Sequence, residues 1–200
     1  MSDPYCSAAD VKARLASDNV NMSSAWDTVL GDIVAEVTAE LDRAARTARV
    51  QPAGWSFVAD AQASERRFTS RYGGSYLAID DCVEVASVSN RGVALTASVN
   101  YVTEPLSDLP ITGIRLLRGA WDETPGAIAL SAKWGYAATL PADVKAAAIT
   151  ESVRAFRGAG VGYDDRVGMT PFGTVITLPA FTTRTLRLIL DYAMPARAVR

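Results

Sequence analysis

Residues 134–145 read WGYAATLPADVK, and within this stretch the sequence changes from the pattern of a strand to that of a helix. Pro141 and Asp143 suit the first turn of a helix, because proline fixes a helical φ and a carboxylate faces the positive end of the dipole. The stretch therefore separates a strand-rich part of the chain from a predicted helix at about 142–157, which ends at glycines 158 and 160. The apolar residues at helical spacing are Val144, Ala147, Ala148, Val153 and Phe156.

The chain before this stretch has the pattern of short strands, within about 64–135. Asn90-Arg91-Gly92 is typical of a hairpin turn, because glycine adopts a positive φ without strain. Pro105 marks the end of a strand, since proline cannot donate to a ladder. Five or six short strands with frequent turns predict a small antiparallel β-module. The candidate strands are 67–71, 76–79, 82–88, 99–103, 114–117 and 127–134.

A short helix followed by a long one is predicted at the start of the chain. Ser7 and Asp10 have the pattern of a capped first turn for a helix at about 8–17. A serine at 24 or 23 is predicted to cap a second helix at about 25–47. The apolar residues of this helix share one side at a period of 3.6, which predicts one buried face. They are Trp26, Val29, Leu30, Ile33, Val34, Val37 and Leu41.

The last predicted helix lies at about 183–193 and begins at Thr182 or Thr183. Helices from the two ends of the chain are expected to pack together, with the β-rich segment inserted between them. The predicted fold class is therefore α+β, a small helical bundle with an inserted antiparallel β-module, in a single domain over 1–200. The apolar positions of the last helix are Leu186, Leu188, Ile189, Leu190 and Tyr192.

The chain contains no histidine, and this excludes several classes of catalytic and metal site. Histidine is the side chain that titrates near neutral pH and the commonest metal ligand. Ser-His-Asp and Cys-His nucleophiles and histidine-ligated zinc are therefore excluded. We expect no catalytic, cofactor-binding or metal-binding residues.

The charge balance, the apolar runs and the cysteines indicate which partners and which cellular compartment to expect. The 20 basic and 22 acidic residues give a net charge of -2, without the basic excess of a protein that grips a nucleic-acid backbone. No apolar run approaches the ~20 residues of a membrane-spanning helix, and the first residues lack the pattern of a secretory signal. Cys6 and Cys82 form no known motif, so both thiols are expected to be buried and reduced in the cytoplasm.

Four candidate sites have a simpler interpretation as ordinary structure. Asp80-Asp81 and Asp164-Asp165 could bind Mg²⁺ or Ca²⁺, but neither pair lies in a ligand-spaced loop, so both are interpreted as solvated turn residues. Residues 158–162 are glycine-rich but follow a helix instead of opening one, unlike a phosphate loop. Lys145 is interpreted as a solvated helix lysine. The tryptophans are interpreted as core and interface anchors; they are Trp26, Trp55, Trp121 and Trp134.

Several short motifs together resemble a known family. Trp134-Gly135-Tyr136 is followed by Leu140-Pro141 and Val144-Lys145, a Gly-aromatic step and a helix start. The capped first helix, the Glu40-Leu41-Asp42-Arg43 segment and the final Leu190-Asp191-Tyr192 occur in the same order. In these features the chain resembles the head–tail connector (adaptor) proteins of long-tailed bacteriophages and of gene transfer agents. Segments 50–72 and 158–179 are longer than in a minimal member.

The resemblance implies a structural virion protein at the head–tail junction that is not an enzyme and needs no cofactor. Copies would assemble in the host cytoplasm into a dodecameric ring under the portal protein. The ring would join the capsid to a stopper or tail-completion protein and line a channel through which DNA passes without specific binding. No contact with a membrane is expected. By analogy, Arg197 and Arg200 would face the portal, and Tyr163 and Phe172 would contact a neighbouring subunit or the stopper.

Two other classes of function are kept as alternatives. A small cytoplasmic ligand-binding or carboxylate-based enzymatic domain would have a concave pocket lined by Asp or Glu and would be stabilised by its ligand. A nucleic-acid-binding accessory protein would show binding that falls steeply with salt.

Overall fold

The structure, a computed structural model, describes residues 3–18, 20, 22–52, 54–159, 166–169, 175–177 and 181–193. It has the predicted α+β fold, with helices near both ends of the chain and strands between them. The helices are α1 (Ala8–Ser17), α2 (Asp27–Arg49), α3 (Ala142–Ala159) and α4 (Thr183–Ala193). The strands are β1 (Ser64–Phe68), β2 (Tyr76–Asn90), β3 (Val93–Leu95), β4 (Tyr101–Glu104), β5 (Ile111–Leu116), β6 (Ile128–Trp134), β7 (Arg166–Met169) and β8 (Val175–Thr177).

The chain divides into two compact units. The helical unit comprises Met1–Val50 and Pro141–Arg200, and the β unit comprises Gln51–Leu140. The first unit is thus built from both ends of the chain and the second is inserted between its halves, as predicted. The expectation of a single domain stays a prediction. In the described part of the chain, no helix is both long and apolar enough to cross a membrane.

The β unit is an antiparallel sheet of six strands in the order β1-β6-β2-β5-β4, with β3 paired to the end of β2. The predicted hairpin turn is confirmed: Arg91 and Gly92 both have positive φ, at 54° and 78°, and join β2 to β3. β3 was absent from the predicted strands, because three residues are too short to show an alternating pattern. The other predicted strands are present with shifted ends, and 76–79 and 82–88 form the single long strand β2.

The core of the β unit lies on one side of this sheet. Alternate residues of β6 are buried and half-buried, which is the burial pattern of a strand with one face on a core. Trp121 is buried and donates its indole N–H to the backbone carbonyl of Ser75 at 2.9 Å. The sequence-predicted role of the tryptophans as core anchors is confirmed for Trp55, Trp121 and Trp134, which are all buried.

The helical unit is held by contacts between helices from opposite ends of the chain. Ser7 caps the start of α1 as predicted, and it forms a capping box with Asp10, whose pKa is lowered by hydrogen bonds from Ser7. Asp10 also pairs with Lys145 on α3, with 3.3 Å between Oδ1 and Nζ. At the other end of these helices, Asp18 and Arg157 approach to 2.6 Å. The helices therefore pack together as predicted.

The predicted buried face of the long helix is only partly correct. Leu30, Val34 and Leu41 are buried, but Trp26 and Val29 are 45% and 42% exposed. Trp26 belongs to a 3₁₀ turn that precedes α2, so it does not continue the helical stripe; its ring packs edge-on against Phe156. Val29 lies about 100° around the helix from Leu30, away from the core.

The ends of α2 also differ from the prediction. Ser23 occupies the cap position before the 3₁₀ turn Ser24–Trp26, but its side chain makes no capping hydrogen bond. The α-helix itself begins at Asp27 and ends at Arg49, where Val50 adopts a left-handed conformation with φ 57°. The 3₁₀ turn therefore takes the place of the predicted serine cap.

Candidate assembly surfaces

Asp80 and Asp81 are not the solvated turn residues that the sequence analysis predicted. Both lie within β2, and Asp81 is fully buried. Its carboxylate accepts a hydrogen bond from the indole N–H of Trp55 at 2.9 Å. Asp80 accepts from Arg66 at 2.7 Å, and the guanidinium of Arg66 lies 4.5 Å from the ring centroid of Trp134. The two carboxylates thus have separate structural partners, because neighbouring side chains in a strand point to opposite faces.

The helical unit contains a buried carboxylate that the sequence analysis missed. Glu151 on α3 is only 4% exposed. Its Oε1 accepts from the Thr182 backbone N–H at 2.9 Å, the Thr182 hydroxyl at 2.8 Å and the Thr185 hydroxyl at 2.6 Å. Its Oε2 accepts from Arg154 at 3.2 Å. Glu151 therefore fixes the first turn of α4 against α3.

The residues before α1 are anchored on α2. The backbone N–H of Tyr5 donates to the Thr38 hydroxyl at 3.1 Å, and the Tyr5 hydroxyl donates to the Asp42 carboxylate. Tyr5 is 2% exposed. Asp42, which lies in the segment that resembles connector proteins, thus has a structural role in this unit.

The thiols and the lysine provide no reactive group. Cys6 and Cys82 are free and buried, as predicted. Burial raises the pKa of Cys6, and that of Cys82 to about 12, so neither is a thiolate at neutral pH. Lys145 is a half-exposed helix lysine paired with Asp10, which agrees with its interpretation as a surface residue. Among the described residues, no three His, Cys, Asp or Glu side chains are grouped closely enough to hold a metal ion.

The β unit exposes apolar side chains at its loops. Leu106 and Leu109 are 75% and 55% exposed in the connection between β4 and β5, and Val99 is 68% exposed before β4. Single exposed apolar side chains are common on protein surfaces and do not by themselves mark an interface. The outer face of the sheet is instead polar: Arg115 pairs with Glu104 and stacks over the ring of Tyr76.

The helical unit exposes two faces of opposite charge. On α4, Thr185 and Ile189 are buried, whereas Leu186 and Leu190 are exposed. We call the exposed residues Arg184, Leu186, Arg187, Leu190 and Asp191 the α4 face, which has two basic side chains and one acidic side chain. We call Val29, Asp32, Glu36 and Glu40 the acidic α2 face; the first three are exposed, Glu40 is half-buried, and the exposed Arg43 lies one turn beyond Glu40.

The interface residues predicted from the resemblance lie outside the described part of the chain. These are Tyr163, Phe172, Arg197 and Arg200, and the second acidic pair, Asp164-Asp165, also lies there. The described residues therefore do not test those assignments. The two charged helix faces were absent from the predicted interfaces. Their signal in the sequence is local: acidic residues four apart on α2, and arginines interleaved with leucines on α4.

Comparison with known proteins finds a likeness in fold. No protein-family model matches the sequence, and no curated protein matches it. A solved chain described as "Neck of empty GTA particle computed with C6 symmetry" superposes with a TM-score of 0.56 and 12% sequence identity. The match covers 94% of this chain and 92% of that one. A chain of "Neck of native GTA particle computed with C12 symmetry" superposes with a TM-score of 0.45, at 13% identity over 94% of each chain.

The likeness extends over nearly the whole of both chains, so it includes the helices from both ends and the inserted strands. The order of elements is the one that the sequence analysis associated with head–tail connectors. This chain therefore has the fold of a chain from the neck of a gene transfer agent (GTA) particle, the class of particle that the sequence resemblance named.

Proposed function

We propose that this protein is a structural component of a virion or virion-like particle, a head–tail adaptor at the junction between capsid and tail. The observation that carries the proposal is the shared fold with a GTA neck protein over 94% of this chain and 92% of the other. A likeness that includes both the helical unit and the inserted β unit supports a common architecture of the whole chain. Localisation at the head–tail junction, after assembly in the host cytoplasm, belongs to the same proposal.

In the proposed assembly, copies form a dodecameric ring under the portal protein. The ring joins the portal to a stopper or tail-completion protein and encloses the DNA channel. The related neck chain was determined with C6 symmetry, which supports a cyclic arrangement. The near balance of 20 basic and 22 acidic residues suits a channel wall along which DNA slides, because strong phosphate binding needs a basic excess.

The proposed role is not enzymatic. Each group that the sequence offered for chemistry in the described ranges has a structural partner: Asp81 binds Trp55, and Lys145 binds Asp10. The raised pKa of Cys82 keeps its thiol protonated at neutral pH. These contacts favour an assembly protein over a carboxylate-based enzymatic domain.

The C-terminal segment supplies a direct test of portal docking. We propose that Arg197 and Arg200 contact the portal and that Tyr163 and Phe172 contact a neighbouring subunit or the stopper. Deleting residues 194–200 should weaken binding to the purified portal at least about tenfold, a loss of about 1.4 kcal/mol. The measurement is the dissociation constant for the purified portal.

The control for this deletion is its thermal unfolding, which should match that of the wild type because α4 ends before the deleted segment. A deletion variant that unfolds like the wild type and binds the portal with unchanged affinity would refute the tail assignment.

A further inference from the structure

The α4 face is an exposed surface on a short helix, with two leucines, two arginines and the carboxylate of Asp191, and it is therefore net basic. Leu186 and Leu190 are 41% and 56% exposed and lie one turn apart, with Arg187 beside them. Within the described residues, neither Arg184 nor Arg187 forms an ion pair. Exposing two leucines on an eleven-residue helix leaves apolar area in water that association would bury.

The acidic α2 face carries a run of like charges. Asp32, Glu36 and Glu40 follow one another at intervals of four residues, which places each carboxylate beside the next on the helix surface. Such pairs repel one another unless a cation lies nearby. In the described part of the chain, none of the three forms an ion pair, whereas Asp27 at the start of α2 pairs with Lys12. The face thus has three carboxylates against the one guanidinium of Arg43, a net negative charge, next to the exposed side chain of Val29.

We propose that the α4 face of one copy docks on the acidic α2 face of the next copy. A second copy fits as the partner because the charges are complementary. The α4 face has arginines beside exposed leucines, and the acidic α2 face has carboxylates beside an exposed valine. Both faces belong to the same chain and differ from each other, so the contact is heterologous, the kind that generates rings when its rotation closes. The inference rests on the proposed function and names the subunit contact of the proposed ring.

The two faces are better matched to each other than to DNA or to the outer face of the sheet. A surface with three carboxylates is repelled by phosphate, so the acidic α2 face suits a protein partner. The charges on the sheet are already paired, as in Arg115 with Glu104 and Lys133 with Glu84. The unpaired helix charges therefore remain available for the contact between copies.

Complementary charge reversal tests the contact. One variant carries Arg184→Glu and Arg187→Glu, and the other carries Asp32→Lys and Glu36→Lys. In either variant alone, the two faces have like charge, so we expect the dissociation constant for self-association to rise about tenfold or more. An equimolar mixture should restore the ring, because each copy then meets an oppositely charged face on its neighbour. The mass of the assembly, with and without the portal, is the readout.

A matched control carries Arg14→Glu and Arg118→Glu. Both arginines are exposed, lie outside the two faces and form no ion pair among the described residues. Because two arginines are again replaced by glutamate, the change in net charge equals that of the first variant. We expect this control to assemble like the wild type. Thermal unfolding of each variant before mixing tests whether it is folded. Ring formation in the mixture is an independent test that both variants are folded.

The outcomes separate this contact from the proposed function. If the wild type assembles and the reversed variants assemble equally well, the proposed contact is wrong but the proposed ring is not refuted. The same holds if the variants dissociate and their mixture does not assemble. If reversal on α4 leaves the ring intact and abolishes only portal binding, the α4 face binds the portal and the contact between copies is refuted. A wild type that remains monomeric with and without the portal refutes the ring and this contact together.

Discussion

Replacing Glu151 by Ala should lower the free energy of unfolding by about 3 kcal/mol, because it removes the acceptor for four donors in a buried site. Oε1 alone accepts from the Thr182 N–H and from the hydroxyls of Thr182 and Thr185. Without it, the backbone N–H of Thr182 loses its acceptor, the hydroxyls of Thr182 and Thr185 keep only their contact with each other, and Arg154 loses the carboxylate of Glu151. Urea unfolding measures the loss, and hydrogen exchange in α4 should increase before global unfolding.

The matched control is Glu123→Ala, an exposed glutamate of the β unit outside the proposed contact, which should change stability by no more than about 0.5 kcal/mol. Glu151→Gln retains one acceptor oxygen and should lose about 1 kcal/mol. A loss below 1 kcal/mol for Glu151→Ala would contradict the account of how α4 is fixed to α3.

Replacing Gly135 by Ala should destabilise the β unit by about 4 kcal/mol, through steric overlap and backbone strain together. Gly135 has a φ of 139°, and an added Cβ would lie 2.5 Å from the Cα and 2.8 Å from the N of Ala59. The backbone cannot easily retreat, because the Gly135 N–H donates to the carbonyl of Asp81 and the Asp60 N–H donates to that of Trp134, both at 2.8 Å.

Gly119→Ala is the control that separates strain from overlap. Gly119 also has a positive φ, at 80°, but an added Cβ would meet no atom within 4 Å. Gly119→Ala should therefore lower the free energy of unfolding by only about 1–2 kcal/mol, the cost of a left-handed backbone conformation for alanine. Equal losses for the two variants, measured by thermal unfolding, would show that close approach to Ala59 does not explain the glycine in the Trp-Gly-Tyr step.

Features that depend on neighbouring residues could be predicted from the sequence. The capping box of Ser7 and Asp10, the hairpin turn at Arg91-Gly92 and the start of α3 after Pro141 each need only a few consecutive residues. The α+β class followed from the order of these local patterns. The likeness to a GTA neck protein confirms this order at the level of the whole fold.

Features that depend on residues far apart in the sequence could not be predicted from it. The partners of Glu151 lie 31 and 34 positions further along the chain, and no local pattern marks this glutamate as buried. Asp81 was interpreted as a solvated turn residue, and nothing in its own segment indicates burial, because the donor Trp55 lies 26 positions earlier. Burial of a charged residue is decided by which donors the fold brings to it, and that information is absent from its own segment.

The exposed leucines of α4 illustrate a further limit. The sequence analysis named Leu186, Ile189 and Leu190 together as apolar positions of this helix, and of these three only Ile189 is buried. In the sequence, an apolar side chain on an exposed helix face has the same spacing as one in the core of the chain. Distinguishing the two required the three-dimensional structure.

The mass of the purified protein in solution, alone and with the purified portal of the same genome, tests the central claim most directly. We expect either a closed ring or a smaller species that joins the portal in a fixed stoichiometry, because the proposed adaptor functions only as an assembly at the head–tail junction. A monomer whose mass is unchanged by the portal at micromolar concentrations would contradict the adaptor function and favour the alternative of a ligand-binding domain.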